Sequence, residues 1–513
     1  MNQAGHIFAK DARHLRWEIA ISLALVAAYA WTTPSGWLPE RFGGEVANVE
    51  LRVVAAILSL LVPVSWWILI TRLVQDESLV GDQQWWITKP YEWTSLLGAK
   101  LLFLLTFVLL PLFVARCVVL AEGGFRPFGY LPGVSFGLML MTGAVVVPLI
   151  ALAAVTSSFG RMTLTLLGIF LAVLVVMVLM AFADQGSFSA PAGGIAAFVV
   201  IVVAAASAIV LQYARRRVWV SRLVLAGGAL LMAGAACLGS LPGMIANMYP
   251  RGSAPLQLAL DTTSHTSSLT QYAGKDRVGL SVPVTVSGIA EGTAVNLDAD
   301  QLTVVAQDGR QWSSTWENLS GARYLSSSDR ESLPIMVKKA FYEQERALPV
   351  TLRLRFAVTE LKVDGETQMA MPGHEFVVPS FGICTPAGSE QMGGMECRAP
   401  LHQPRTTFIH VQWSDAPCEA GIAGPGVAGE AWAGNVAPPP AEFGIDSVTQ
   451  IPFALSNNVR NAEKGPDQPR SLCPGSPVSF TRYALAGRSE YDVTLANYVM
   501  PEMPPVRTAL IVH

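Results

Sequence analysis

Residues 162–183 read MTLTLLGIFLAVLVVMVLMAFA, 22 consecutive uncharged positions between Arg161 and Asp184. A helix of that length crosses about 30 Å of hydrocarbon, and a charged side chain at the bilayer centre costs about 2.5 kcal/mol or more. The stretch therefore reads as a membrane span, and it has neighbours of the same kind. Uncharged gaps run from Glu18 to Glu40 (21 residues), Arg52 to Arg72 (19), Arg126 to Arg161 (34), Asp184 to Arg215 (30) and Arg222 to Arg251 (28). Gly98 to Ala121 is equally apolar apart from Lys100 and Arg116, whose long side chains are expected to snorkel to the interface. No charged residue is expected deep in a span. Seven transmembrane helices are expected in residues 1–250.

Charge supports a division near residue 250. Of the 35 basic and 38 acidic side chains in 513 residues, 15 and 11 fall before it and 20 and 27 after it. Only 14% of the chain is charged, against about a quarter in a soluble domain, which excludes a purely soluble protein. Nucleic acid is not an expected partner, because the longest cationic run is Arg215-Arg216-Arg217. With the N-terminus inside, the inner segments hold eleven Lys and Arg residues against Arg41, Arg52, Arg116 and Arg126 outside. That asymmetry predicts an integral protein of a bacterial inner (plasma) membrane, N-terminus cytoplasmic and C-terminal half extracytoplasmic. Trp17, Trp31, Trp37, Trp66, Trp67 and Trp219 fall near the expected helix ends as an interfacial belt would. Lys10, Arg13 and Arg16 before an apolar run ending in Ala28-Tyr29-Ala30 also fit a cleaved signal peptide, so the first segment has two readings.

Between the second and third expected spans lies GDQQWWITKPYEWTSLLGAK, residues 81–100. Three Trp among ionic residues suit a chain lying in the headgroup layer, and Pro90 interrupts regular helix there. The segment resembles the cytoplasmic element after the second transmembrane helix in permease subunits of ABC-2 type transporters, a Trp-x-Thr-Arg/Lys-Pro stretch followed by Leu-Leu-x-x-Lys. The matching residues are Trp86, Thr88, Lys89 and Pro90, then Leu96, Leu97 and Lys100. The resemblance implies an ATPase-coupling segment comprising Trp85, Trp86, Thr88, Lys89, Pro90 and Trp93. It also implies a separate cytoplasmic ABC ATPase and a second permease subunit, as homo- or heterodimer. Arg161 and the Arg215–Arg222 turn would be further docking points. No Gly-x-x-x-x-Gly-Lys-Ser/Thr occurs, so the chain is not expected to be an enzyme or to hydrolyse ATP itself. The family usually has six spans with both ends inside, and a seventh span with a large exterior domain departs from that pattern. Small residues at Gly193, Gly194, Ala196 and Ala197, and at Gly227, Gly228 and Ala229, suit close helix packing within or between subunits.

Beyond Pro250 the periodicity becomes two. Val278, Leu280, Val282, Val284 and Val286 alternate with small or polar residues, as do Val350, Leu352, Leu354, Phe356 and Val358. Weaker strands are expected near 256–262, 302–306, 407–413 and 491–499. Ser328 and Glu331, spaced as a capping box, suggest a helix over Met336 to Glu343. The expected architecture is a polytopic α-helical membrane domain (residues 1–250) followed by a mainly β, sandwich-like extracytoplasmic domain (251–513), with room for a second subdomain after about residue 400. Ala420 to Gly444, with Pro438-Pro439-Pro440, reads as a linker.

Cys117 and Cys237 fall in expected spans, whereas Cys384, Cys397, Cys418 and Cys473 fall in the exterior half and read as two disulfides. Four cysteines permit three connectivities, of which proximity favours Cys384–Cys397 and Cys418–Cys473. No metal or other cofactor is expected: His374, His402 and His410 lack ligand spacing, Asp298 and Asp300 lack the remainder of a calcium loop, and Gly133-Val134-Ser135-Phe136-Gly137 opens a span rather than a catalytic turn. Two functions therefore stand at the level of sequence. One is a permease coupled to an ATPase and meeting an envelope protein through its exterior domain. The other is a non-transporting anchor or assembly module that presents a β-domain for protein or glycan binding.

Overall fold

The computed structural model describes residues 3–33, 49–77, 92–182, 191–238, 242–251, 257–260, 269–270, 276–325, 330–346, 348–372, 374–379, 381–389, 392–400, 407–414, 428–434, 448–454 and 475–501. Helices occupy the first half: α1 (Gln3–His14), α2 (Arg16–Thr32), α3 (Val49–Gln75), α4 (Trp93–Leu104), α5 (Leu110–Glu122), α6 (Leu131–Met141), α7 (Val147–Val155), α8 (Phe159–Phe182), α9 (Pro191–Val210), α10 (Val218–Leu238) and α11 (Pro242–Met248). Single π turns at Leu105–Leu109 and Thr142–Val146 join α4 to α5 and α6 to α7, and a third, Leu211–Arg215, closes α9.

Among the described residues, five helical stretches are long and apolar enough to cross a membrane: Val53–Gln75, Trp93–Glu122, Pro127–Val155, Gly194–Arg215 and Val218–Ala235. The seven-helix expectation is met to that extent. Of the other two, α2 has 17 residues, or about 26 Å of helix against roughly 30 Å of hydrocarbon. The described apolar part of α8 runs from Phe159 to Ala172.

The second half is β-rich. In chain order it contains β1 (Gln257–Leu260), β2 (Leu269–Thr270), β3 (Arg277–Ser287), β4 (Thr293–Val305), β5 (Gln311–Ser313), β6 (Glu317–Leu325), β7 (Arg330–Lys338), helix α12 (Lys339–Glu345), β8 (Pro349–Ala370) and β9 (Phe376–Val378). There follow β10 (Gly382–Ser389), β11 (Met392–Pro400), β12 (Thr407–Ser414), β13 (Ala428–Gly434), β14 (Val448–Ala454) and β15 (Pro477–Val499). Contacts divide the chain into two compact units. One comprises Met1–Val178, Ile195–Ala235 and Gly365–Arg482, and the other Leu179–Gly194, Ala236–Asp364 and Tyr483–His513.

In the first unit the helices bury a core that includes Trp66, Leu69, Ile70, Phe103, Val108, Leu120 and Ile150. Trp66, expected in the interfacial belt, is 1% exposed, whereas Trp17 and Trp219 are exposed. Helices α9 and α10 approach so closely that a Cβ on Gly228 would lie 2.4 Å from that of Ala204, so this site requires glycine. The same unit holds an antiparallel sheet in the order β14-β11-β10-β9, and β12 pairs with β13. The stretch expected as a linker thus contains β13, whose Trp432 lies opposite His410.

In the second unit β3 pairs with β1, β2 and β7, while β4 pairs with β5, β6 and β8. Val278, Leu280 and Val282 share one apolar cluster with Leu333, Ile335, Val337, Leu352, Leu354, Phe356 and Val358, as the alternation predicts. Gly279 and Ser281 between them are buried too, so this part of β3 is covered on both faces rather than half-buried. Ser328 of the expected capping box lies outside the described residues, and its partner position Glu331 belongs to β7 rather than to a helix. Met336 belongs to β7, and α12 starts only after Lys338, which makes no side-chain cap. Cross-strand burial of Ile335 and Val337 outweighs local helix propensity there. A smaller cluster seats Ile245 and Tyr249, at the end of α11, against Ala299, Trp316 and Ala357. The carboxylate of Asp298, at a bulge in β4, accepts from Tyr249 (2.9 Å), Thr359 (2.5 Å) and Asn296 (2.6 Å). Burial raises its pKa against the opposing effect of those donors.

Candidate functional site

The most unusual group of side chains lies where α1 meets the C-terminal end of α3 and the first turns of α4. Helix α1 is amphipathic: Ile7 is buried, and Phe8 stacks on Phe107 (5.8 Å between centroids) and meets Phe103 edge-on. Asp11 is four residues beyond Ile7 and so shares its buried face. It is 2% exposed and accepts a hydrogen bond from the Lys100 Nζ at 2.8 Å; Lys100 is itself 2% exposed.

Lys100 also lies 3.3 Å from Glu77, whose other carboxylate oxygen is 3.1 Å from the half-buried Lys10. Asp76 stands 3.8 Å from Lys10 and 3.5 Å from the His14 imidazole. Two buried carboxylates and two ammonium groups thus balance one another. Such an arrangement is required here, because an unpaired charge in this position would carry the full desolvation cost. Desolvation raises the pKa of Asp11 although Lys100 opposes it. Desolvation pulls Lys10 down, yet Glu77, Asp11 and Asp76 together leave it raised.

Neighbouring contacts hold the surroundings. Gln75 donates to the Thr156 hydroxyl at the end of α7 (3.0 Å), Arg222 caps the same helix through the Val155 carbonyl (2.9 Å), and Arg72 pairs with Glu18. Tyr213, from the π turn at the end of α9, is buried in the same apolar core.

These positions correct the expectation that Lys100 and Arg116 snorkel. Lys100 has carboxylate partners inside the helix packing, and Arg116 is 1% exposed in α5. The sequence signal that could have located the cluster was Asp11 on the apolar face of a short amphipathic helix together with one lysine inside an apolar run. Of the expected coupling residues, Trp93 opens α4 and is exposed, whereas Trp85, Trp86, Thr88, Lys89 and Pro90 lie outside the described residues. Cys384 and Cys397 are disulfide-bonded and face one another across β10 and β11; Cys418 and Cys473 lie outside the described residues. Among the described residues no group of three or more His, Cys, Asp or Glu side chains is arranged to hold a metal ion.

No family model and no curated protein matches the chain. Solved structures with some likeness include the alkylpurine DNA glycosylase AlkC of Pseudomonas fluorescens bound to DNA containing an abasic site analog, at 13% identity over 66% of this chain and 94% of that one, TM-score 0.16. Others are the C-terminal globular domain of an oligosaccharyltransferase from Pyrococcus abyssi (12%, 43% and 44%, TM-score 0.10) and red sea bream transglutaminase (10%, 55% and 35%, TM-score 0.12). Likeness at these TM-scores carries no argument about fold or function.

Proposed function

We propose that the chain is a permease subunit of an ABC-2 type transporter, worked by a separate cytoplasmic ATPase through the segment from Trp85 to Trp93. In this reading α2 and α8 supply the two remaining spans, the N-terminus is cytoplasmic, and the β-rich half is a sandwich-like extracytoplasmic domain. Two permease subunits form the path, and ATP hydrolysis belongs to the partner.

The supporting observation is the buried Lys100, which ion-pairs with Glu77 and so ties together the two helices that residues 78–91 connect. A segment that receives force needs its two ends held in fixed relation; otherwise the push would be absorbed by the ends spreading apart. Affinity purification of the full chain in mild detergent tests the reading. A P-loop ATPase without spans of its own is expected to co-purify, and Trp86→Ala or Lys89→Ala is expected to abolish its stimulation by the permease while leaving membrane insertion unchanged. Recovery of the chain without any ATPase would sink the proposal and leave the anchor reading.

A further inference from the structure

The helical stretch from Trp93 to Glu122 ends in two built contacts of different chemistry. It is 30 residues long, about 45 Å at 1.5 Å per residue. Near one end Lys100 is locked to Asp11 and Glu77. At the other end the chain turns through Gly123 and Gly124, whose N–H groups bond back to Val119 and Ala121, and Phe125 bonds back to Leu120. Gly124 has φ +83°, and a Cβ there would lie 2.6 Å from the Cδ1 of Ile383, so backbone and side chain are in the closest contact a glycine allows.

Ile383 and Val448 are buried in the same apolar cluster as Val119, Leu120 and Phe125. Ile383 sits on β10 immediately before Cys384, which is bonded to Cys397 on β11; Val448 sits on β14 at the other flank of β11. The helix therefore meets a sheet whose two central strands are covalently stapled, and a stapled sheet moves as one body rather than shearing.

Midway, the N–H of Leu110 bonds to the carbonyl of Leu105, an i→i+5 closure. A π turn of this kind is a defined mid-helix irregularity, frequent at functional sites, and it sets the rotation of Leu110–Glu122 relative to Trp93–Leu104.

We propose that the stretch Trp93–Glu122 carries a change at the Asp11–Lys100–Glu77 cluster to the Cys384–Cys397 sheet, and that this sheet is the load the subunit moves. The inference rests on the transporter reading only for the origin of the force. The coupling itself is a property of the subunit alone and must act equally in both directions.

Amide hydrogen exchange of the full-length protein in lipid nanodiscs tests it without any ATPase. Asp11→Asn should change exchange across Gly382–Pro400 by about fivefold or more, and Ile383→Ala should change exchange in α1 and the first turn of α4 by a similar factor. Arg222→Gln, which perturbs α7 at the same end without touching α4, should leave Gly382–Pro400 unchanged. Unaltered exchange at the far end in either reporting variant, or an equal response to Arg222→Gln, overturns the proposal. If Asp11→Asn fails to insert, Ile383→Ala decides alone. Absence of a co-purifying ATPase would remove the transporter reading and leave this result standing.

Discussion

Replacing Lys100 by Met keeps most of the side-chain volume and removes the cation that two buried carboxylates share. In the native protein Asp11 and Glu77 face Lys100 and Lys10, and the balance is even. After Lys100→Met only Lys10 remains, 3.1 Å from Glu77 but 3.8 Å from Asp11 and 39% exposed, so the buried Asp11 loses its 2.8 Å hydrogen-bonded partner and keeps only that longer contact, shared with Glu77. Breaking a buried pair from one side costs about 3–5 kcal/mol, which lowers the unfolding midpoint by on the order of 10 °C. The double variant Asp11→Leu/Lys100→Met leaves the Lys10–Glu77 pair and puts two apolar side chains where the ion pair was. It should recover most of the loss, because such replacements are neutral or stabilising by about 1–4 kcal/mol. Because burial already raises the Asp11 pKa, acidification should restore part of the single variant's deficit by protonating that carboxyl. Thermal unfolding in one mild detergent at neutral and mildly acidic pH measures all three effects. A single variant as stable as the native chain, or a double variant that falls as far as the single, would refute the reasoning.

Two further outcomes concern the β-rich half. Burial, with Glu317 beside it, pushes the Asp300 carboxyl up to about 7. A carboxyl raised in the folded state makes the fold lose stability as pH rises from about 4 to about 7, by up to about 4 kcal/mol. Asp300→Asn should flatten that window and make the chain more stable than native at pH 8; denaturant unfolding that keeps the native pH dependence would contradict this. The Cys384–Cys397 bond spans 13 residues, so Cys384→Ser should cost about 3 kcal/mol. Non-reducing peptide mapping of the native chain should recover that linkage, and finding both thiols free would count against the sheet as described.

The membrane helices were legible because hydrocarbon sets a length and excludes charge, and both appear directly as uncharged runs. The charged cluster was not, because the partners of Lys100 are far away in the chain; Asp11 is 89 residues distant. An isolated cation in an apolar run looks the same whether it reaches for water or for a carboxylate on another helix. Trp66 was misplaced for a related reason: hydropathy reports that a helix is apolar and not which side faces lipid and which faces protein. In the β-rich half, Val350 to Phe356 was legible because Val350, Leu352, Leu354 and Phe356 are buried while Thr351, Arg353 and Arg355 between them are not. Val278, Leu280 and Val282 were legible from residue type, although Gly279 and Ser281 between them are buried as well. The rest of β8 and β15 alternates less clearly, as in Lys362 to Ala370, where exposed and half-buried positions follow one another.

The π turn at Leu105–Leu109 decides which way the helix beyond it faces. Lys100 and Arg116 are 16 positions apart, which in an unbroken α-helix would put them about 160° apart around the axis. A π turn takes up one extra residue, so everything after it is rotated back by about 100° and the two cations come within about 60° of each other. Both are buried, at 2% and 1% exposure. The widened turn is thus a phase corrector: without it, one of these two cations would be directed away from the protein interior and into the acyl chains.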